Sequence, residues 1–190
     1  MKTLNVRSGA FVAGLVLAAC TARGPKTPEA AFARLSEAVS ARNAEDLFEA
    51  LDQDTRWSWM TVQKCQREAF DVVLSNFPEG PDRERQLRHL EAGATAETAA
   101  ELFAARMGTE ALASLAGRLP EPPVFTVAGS EAATPARSGA ALLFRQIEQR
   151  WGYAGFSSAA EEQKRRAVAD LELIKTSATD YERARLRGGS

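Results

Sequence analysis

The sequence predicts an α+β fold: a mostly helical domain that ends in a small C-terminal antiparallel β-meander and is followed by one long helix. Three observations carry this expectation. From Ala31 to Phe77 apolar residues recur at intervals of three and four, the period of an amphipathic helix. At Pro120, Pro122 and Pro123 the texture changes to short β-rich runs separated by turn residues. From Ala159 to Leu186 there is neither glycine nor proline, so nothing local interrupts a helix.

Each element has its own signal. Thr27 is a good N-cap, with Pro28 at the first helical position and Glu29 beside it, where a negative charge meets the helix dipole. Ala31, Phe32, Leu35 and Val39 then form one apolar stripe. Asn43 restarts the count as a second N-cap, with Glu45 and Asp46 in the first turn and Leu47, Phe48 and Leu51 on the buried side. This second helix is expected to end near Asp52. Trp57, Met60, Lys64, Cys65, Phe70, Val73, Leu74 and Phe77 suggest a longer third helix, stopped by Pro78 and Gly80. Its two tryptophans, Trp57 and Trp59, make it the costliest surface in the chain to leave wet.

Three short helices are expected between Pro81 and Leu119: a charged one from Pro81 to Leu90, an Ala-rich one capped by Thr95, and one from Thr109 to Leu119 set apart by Gly108. Strands follow at Val124 to Ala128 and, after a loop of Gly, Ser, Thr and Pro, at Ala140 to Ile147 and Arg150 to Phe156. Only Glu148 and Gln149 separate the last two, which reads as a hairpin. On its second strand, period two puts Trp151 and Tyr153 on one face and Arg150 and Gly152 on the other. In the final helix Ala167, Leu171, Ile174, Ala178 and Tyr181 alternate by four and three over two heptads, too few for a coiled coil. The expected boundaries are residues 1–19, 20–27, 28–156 and 157–190.

The first of these spans is an export signal by its own chemistry. Lys2 and Arg7 precede Ala10 to Ala19, an uncharged run about half as long as the roughly twenty apolar residues that a membrane span requires. The run ends in Leu17-Ala18-Ala19-Cys20, which resembles the lipobox of bacterial lipoproteins. The resemblance implies cleavage before Cys20, a diacylglycerol thioether on its sulfur and acylation of its freed amine. Two acyl chains anchor stably where one is marginal. The membrane, reached through lipid on Cys20, is thus the first expected partner. By the same resemblance, Thr21 in place of aspartate favours the outer membrane, facing the periplasm, in a bacterium that has one. Residues 20–27 then form the lipidated tether, small, polar and proline-bearing after the cysteine.

Loss of 19 residues from 190 leaves 171, enough for one domain with a real core. Lys2 and Arg7 leave with the signal, so 22 basic residues face 25 acids. A net charge of minus three excludes the strongly basic field that would recruit nucleic acid. Lipid on Cys20 leaves Cys65 as the second and last cysteine, so no disulfide framework exists.

A second resemblance rests on two helices joined at an Asn, then LFEALDQDTRW (Leu47 to Trp57), and later LLFRQIEQRWGYAGF (Leu142 to Phe156). These are similar to small exported lipoproteins of the nuclear transport factor two-like superfamily, in which a curved antiparallel sheet wraps helices into a cone with a cavity. The likeness covers about half of the mature chain. The sequence departs from that pattern in showing three strands where four to six occur, and helix from Pro81 to Leu119 where the sheet would begin.

The residues that could carry chemistry are few. His89 is the sole histidine and lies in an Arg-rich helical stretch, so neither a histidine-dependent triad nor a multi-histidine metal site can be assembled. No cofactor motif is present: no Gly-rich phosphate loop, no Cys-x-x-Cys, no His-Glu-x-x-His. Cys65 has Thr61, Val62, Glu68 and Ala69 at helical spacing and no base among them, so it reads as an inert core thiol. Asp52 and Asp54 could form a carboxylate pair, or be polar residues closing the second helix. Arg83, Arg85 and Arg88 alternate with acids and read as a solvated face. Arg183, Arg185 and Arg187 follow the last acid, Glu182, and suit either anionic headgroups or the negative end of a helix.

Three functions remain open on this reading. The chain is a membrane-anchored envelope lipoprotein with a non-catalytic binding or scaffolding role toward another envelope protein. Alternatively, it carries a small apolar or amphipathic ligand in a cavity lined by Trp57, Trp59, Phe70, Trp151 and Tyr153, unless those aromatics simply fill the core. A carboxylate-dependent enzyme is the least supported of the three.

Overall fold

The computed structural model describes residues 24–188 and has the expected α+β class. The signal segment 1–19, the lipidation residue Cys20, and Thr21 lie outside the described residues. Helix α1 (Pro28–Ser40) starts as its caps dictate: the Thr27 hydroxyl accepts from the Ala30 amide at 3.2 Å, with Pro28 in the first turn. Asn43 caps α2 (Ala44–Ala50) by accepting from the amides of Glu45 and Asp46 at 3.0 and 3.2 Å.

Helix α2 ends at Ala50, and Asp52 opens α3 (Gln53–Asn76) instead of closing α2. Its carboxylate accepts from the Thr55 amide at 2.8 Å, so Asp52 is an N-cap. Leu51 and Asp52 are extended between the two helices, and the Asp52 amide donates to the Tyr153 carbonyl at 3.0 Å. The 24 residues of α3 make a rod about 36 Å long. Its buried stripe runs Thr55, Trp59, Val62, Cys65 and Gln66, Ala69, Val73. That stripe corrects the expected one. Trp57 and Trp59 stand two residues, about 200°, apart and cannot share a face. Trp59 is buried, while Trp57, Met60 and Leu74 are 47%, 53% and 48% exposed.

Helix α4 (Pro81–Thr95) extends one turn past Leu90, and Thr98, not Thr95, caps the next helix by accepting from the Glu101 amide. Thr95 instead donates its hydroxyl to the Glu91 carbonyl. Gly108 does not separate two helices. A π-turn at Ala104–Gly108 joins α5 (Ala99–Phe103) to α6 (Thr109–Leu115) in one rod. Gly108 is small for a packing reason, since a Cβ there would meet the Ala44 side chain at 2.6 Å.

The sheet has four strands, β1 (Thr126–Ala128), β2 (Glu131–Thr134), β3 (Leu142–Ile147) and β4 (Arg150–Tyr153), antiparallel in sequence order. Strand β2 lies in the stretch expected to be loop. The β3–β4 hairpin turns at Glu148 and Gln149 with φ of 49° and 63°, the paired positive values of a two-residue turn matched to strand twist. Trp151 and Tyr153 are buried, but Gly152 is buried as well: it lies on the Leu51–Asp52 segment, so β4 has no wet face at that point.

Helix α7 (Ser157–Gly188) packs along α3. Three contacts fix the direction: Ser58 with Glu161, Glu68 with Lys175, and Phe77 with Tyr181. Both partners rise in number together, so the helices run parallel and their N-termini lie side by side. Ala167, Leu171, Ile174 and Ala178 are buried as expected, and Tyr181 meets Phe77 edge-on at 4.9 Å. Phe32, Phe125 and Phe144 join α1 to the sheet, while Phe48, Phe103 and Trp59 join α2, α5 and α3. No described helix is long and apolar enough to cross a membrane.

Candidate functional site

The parallel N-termini of α3 and α7 meet beside β3 and leave a cleft of about 500 Å³. Thr55 and Ser157 line it, and both bond to Asp52, which is 2% exposed. One carboxylate oxygen caps α3 at Thr55; the other lies 3.0 Å from the Ser157 hydroxyl. Ser157 also stands 2.8 Å from the Ala154 carbonyl and 2.9 Å from the Thr55 hydroxyl. With one proton to give, Ser157 donates to Asp52 or to the carbonyl and accepts from Thr55. This buried network locks the first turns of the two helices together.

The cleft also carries two ion pairs. Asp54 faces Arg145 of β3 at 3.9 Å, and Glu161 accepts from Lys164 at 2.8 Å and from the Ser58 hydroxyl at 3.3 Å. The hydrogen bond from Lys164 is the main reason that the Glu161 carboxyl is held below its usual range. Two helix N-termini present positive dipole ends here, and Asp52, Asp54 and Glu161 offset them. Trp57 forms the apolar rim. The site can therefore hold a partner that offers charges of both signs around an apolar group. Ser157 is committed to the helix junction.

The five aromatics expected to line one cavity are not brought together. Trp57 is on the rim; Trp59 is in the core, edge-on to Phe103 at 5.6 Å. Phe70 is half-buried against the core. Tyr153 is packed between Phe144 and Phe156 at 5.6 and 5.4 Å, and burial pushes its hydroxyl up. Trp151 is 6% exposed and walls a second, smaller pocket. Asp52 and Asp54 do not form a carboxylate pair, because one is buried as a cap and the other faces Arg145 in solvent.

The remaining candidates fall elsewhere. His89 is exposed in a groove between α4 and α7. Cys65 is buried; desolvation, and secondarily the charge of Glu68, raises its thiol. Arg183 pairs with Asp180 at 3.5 Å in the last turns of α7. Among the described residues no group of three or more His, Cys, Asp or Glu could hold a metal ion. Arg145, Ser157, Glu161 and Lys164 escaped the sequence reading. The one local signal was Ser157-Ser158 after Gly155, a helix start.

The class that fold and site define is an α+β domain in which a four-stranded meander packs on α1 while α3 and α7 run parallel to each other. Comparison of the chain with protein-family models, curated proteins and solved structures finds no match.

Proposed function

We propose that the chain is a lipid-anchored protein of the bacterial cell envelope, held through Cys20, and that its domain is a non-catalytic binding module working through the α3–α7 cleft. The anchoring rests on Leu17-Ala18-Ala19-Cys20 behind a short apolar segment, with the first helix cap, Thr27, seven residues after the cysteine. The binding role rests on one observation: Trp57, 47% exposed, lines one cleft together with the Asp54–Arg145 and Glu161–Lys164 pairs. An exposed aromatic ringed by charges of both signs has the composition of a recognition hot spot. The fitting partner is an envelope protein with an apolar anchor flanked by complementary charges. The carrier reading has less support, since its five lining residues are dispersed. Packing of α1 into the four-stranded sheet through Phe32 favours the nuclear transport factor two-like resemblance.

Site-specific photo-crosslinking in cells tests the binding role. A crosslinker at position 57 should trap one discrete adduct, lost on Arg145→Glu with Lys164→Glu, whereas a crosslinker at exposed Glu91 should trap none. The same adducts from both positions would refute it.

A further inference from the structure

The second pocket, of about 300 Å³, lies where the tether meets the fold. The Trp151 amide donates to the Pro25 carbonyl at 2.8 Å, and Gly24 packs on the Arg150 side chain. The chain is therefore pinned to the β4 edge before α1 begins. Gly24 comes four residues after Cys20, so even fully extended the link between them reaches about 14 Å. A lipid on Cys20 would keep this pocket at the level of the headgroups.

The pocket is built to receive something. Arg34 and Arg56 share one acid, Glu49, at 3.9 and 3.1 Å. Arg150 has no acid within 4.0 Å among the described residues. Asp52 also lines the pocket, so three arginines face two acids and leave an excess of one positive charge among the lining residues. Two polar atoms of the lining are buried without a hydrogen-bond partner in the protein: Arg56 Nε, a donor, and Gln53 Oε1, an acceptor. The other end of the Gln53 amide is fixed, donating to Glu148 at 2.9 Å. Buried polar atoms without partners are rare because they are costly. Together they call for a ligand with an anionic oxygen for Arg56 and a hydroxyl for Gln53.

We infer that this pocket binds the headgroup of an anionic phospholipid, a phosphodiester bearing a free hydroxyl, in the membrane that holds the anchor. The inference rests on the anchoring reading above. It makes the tether junction a second contact with the bilayer and sets how the domain stands on it.

The test uses the mature protein purified from membranes, with the mass of its N-terminal peptide reporting whether Cys20 is acylated. The protein is reconstituted into vesicles of phosphatidylcholine alone or mixed with phosphatidylglycerol, and phenylglyoxal modification is mapped by mass spectrometry. Phosphatidylglycerol should slow modification of Arg56 and Arg150 roughly fivefold, the effect expected of one arginine at an anionic surface. Arg88 and Arg165, exposed on α4 and α7, should be unaffected. Arg56→Gln, shown by its melt to be folded, should abolish the protection of Arg150. Equal protection of all four arginines, or protection of none, would overturn the pocket assignment while leaving the anchor intact. An unacylated Cys20 would overturn the anchoring instead. If glycerol 1-phosphate protects the detergent-solubilised protein as well as the vesicles do, the site belongs to a soluble phosphate ester and the lipid assignment fails.

Discussion

Gly152 and Asp52 meet backbone to backbone: a Cβ on Gly152 would lie 2.5 Å from the Asp52 Cα and 2.5 Å from the Leu51 carbonyl oxygen. The neighbours are main-chain atoms tied to β4 by the Asp52–Tyr153 hydrogen bond, so no side chain can swing aside. Gly152→Ala should destabilise the domain by about 1 to 3 kcal/mol, as overpacking does. Denaturant unfolding measures this, and an unchanged midpoint would mean that the junction yields freely.

Asp52 itself holds α3, α7 and the sheet edge together. Asp52→Ala removes the cap and leaves the Thr55 amide without its acceptor, while Ser157 keeps the Ala154 carbonyl, at a cost of about 2 kcal/mol. Asp52→Asn keeps an acceptor for Thr55 and should lose well under half as much. Equal losses in thermal melts of the two variants would show that charge, and not capping, is what Asp52 supplies.

Trp151 is 6% exposed and lies on a strand packed against α1. Its truncation to Ala should cost roughly 3 to 5 kcal/mol, much of a typical domain's stability. Trp57→Ala should leave the melt nearly unchanged. A Trp151→Ala variant melting within a degree or two of wild type would contradict its place in the core.

Cys65 should react slowly with a thiol reagent in the folded protein and readily in denaturant, being buried with a raised thiol. The raised value also sets a pH dependence. The unfolded chain loses the thiol proton first, so the contribution of Cys65 to stability is complete below the ordinary thiol range and falls as pH rises through it. Cys65→Ala should remove that part of the alkaline slope. Fast modification without denaturant would show an accessible thiol.

Local chemistry made much of the fold legible in the sequence. Thr27-Pro28, Asn43 and Glu148-Gln149 fix their turns with nearby atoms, and the structure places caps and hairpin there. What escaped depends on distant partners. Asp52 is followed by a helix as well as preceded by one; its cap on the Thr55 amide is local, but its second bond, to Ser157 far along the chain, leaves no trace in the nearby sequence. Strand β2 reads Glu-Ala-Ala-Thr, of which only Thr134 has strand preference, and is held by pairing with β1 and β3. Gly108 looks like a breaker until Ala44 is seen against it. The cleft was hidden for the same reason: its charges come from α3, β3 and α7, which are brought together by packing.

The measurement that tests the account most directly is fatty-acid labelling of cells that express the wild-type chain or Cys20→Ala. Label is expected in the wild-type chain, with a mature N-terminus at Cys20, and none in the variant. The described domain begins after that residue and should fold in both. Equal incorporation into the two chains, or a mature chain starting elsewhere without lipid, would contradict the anchor and with it the envelope role.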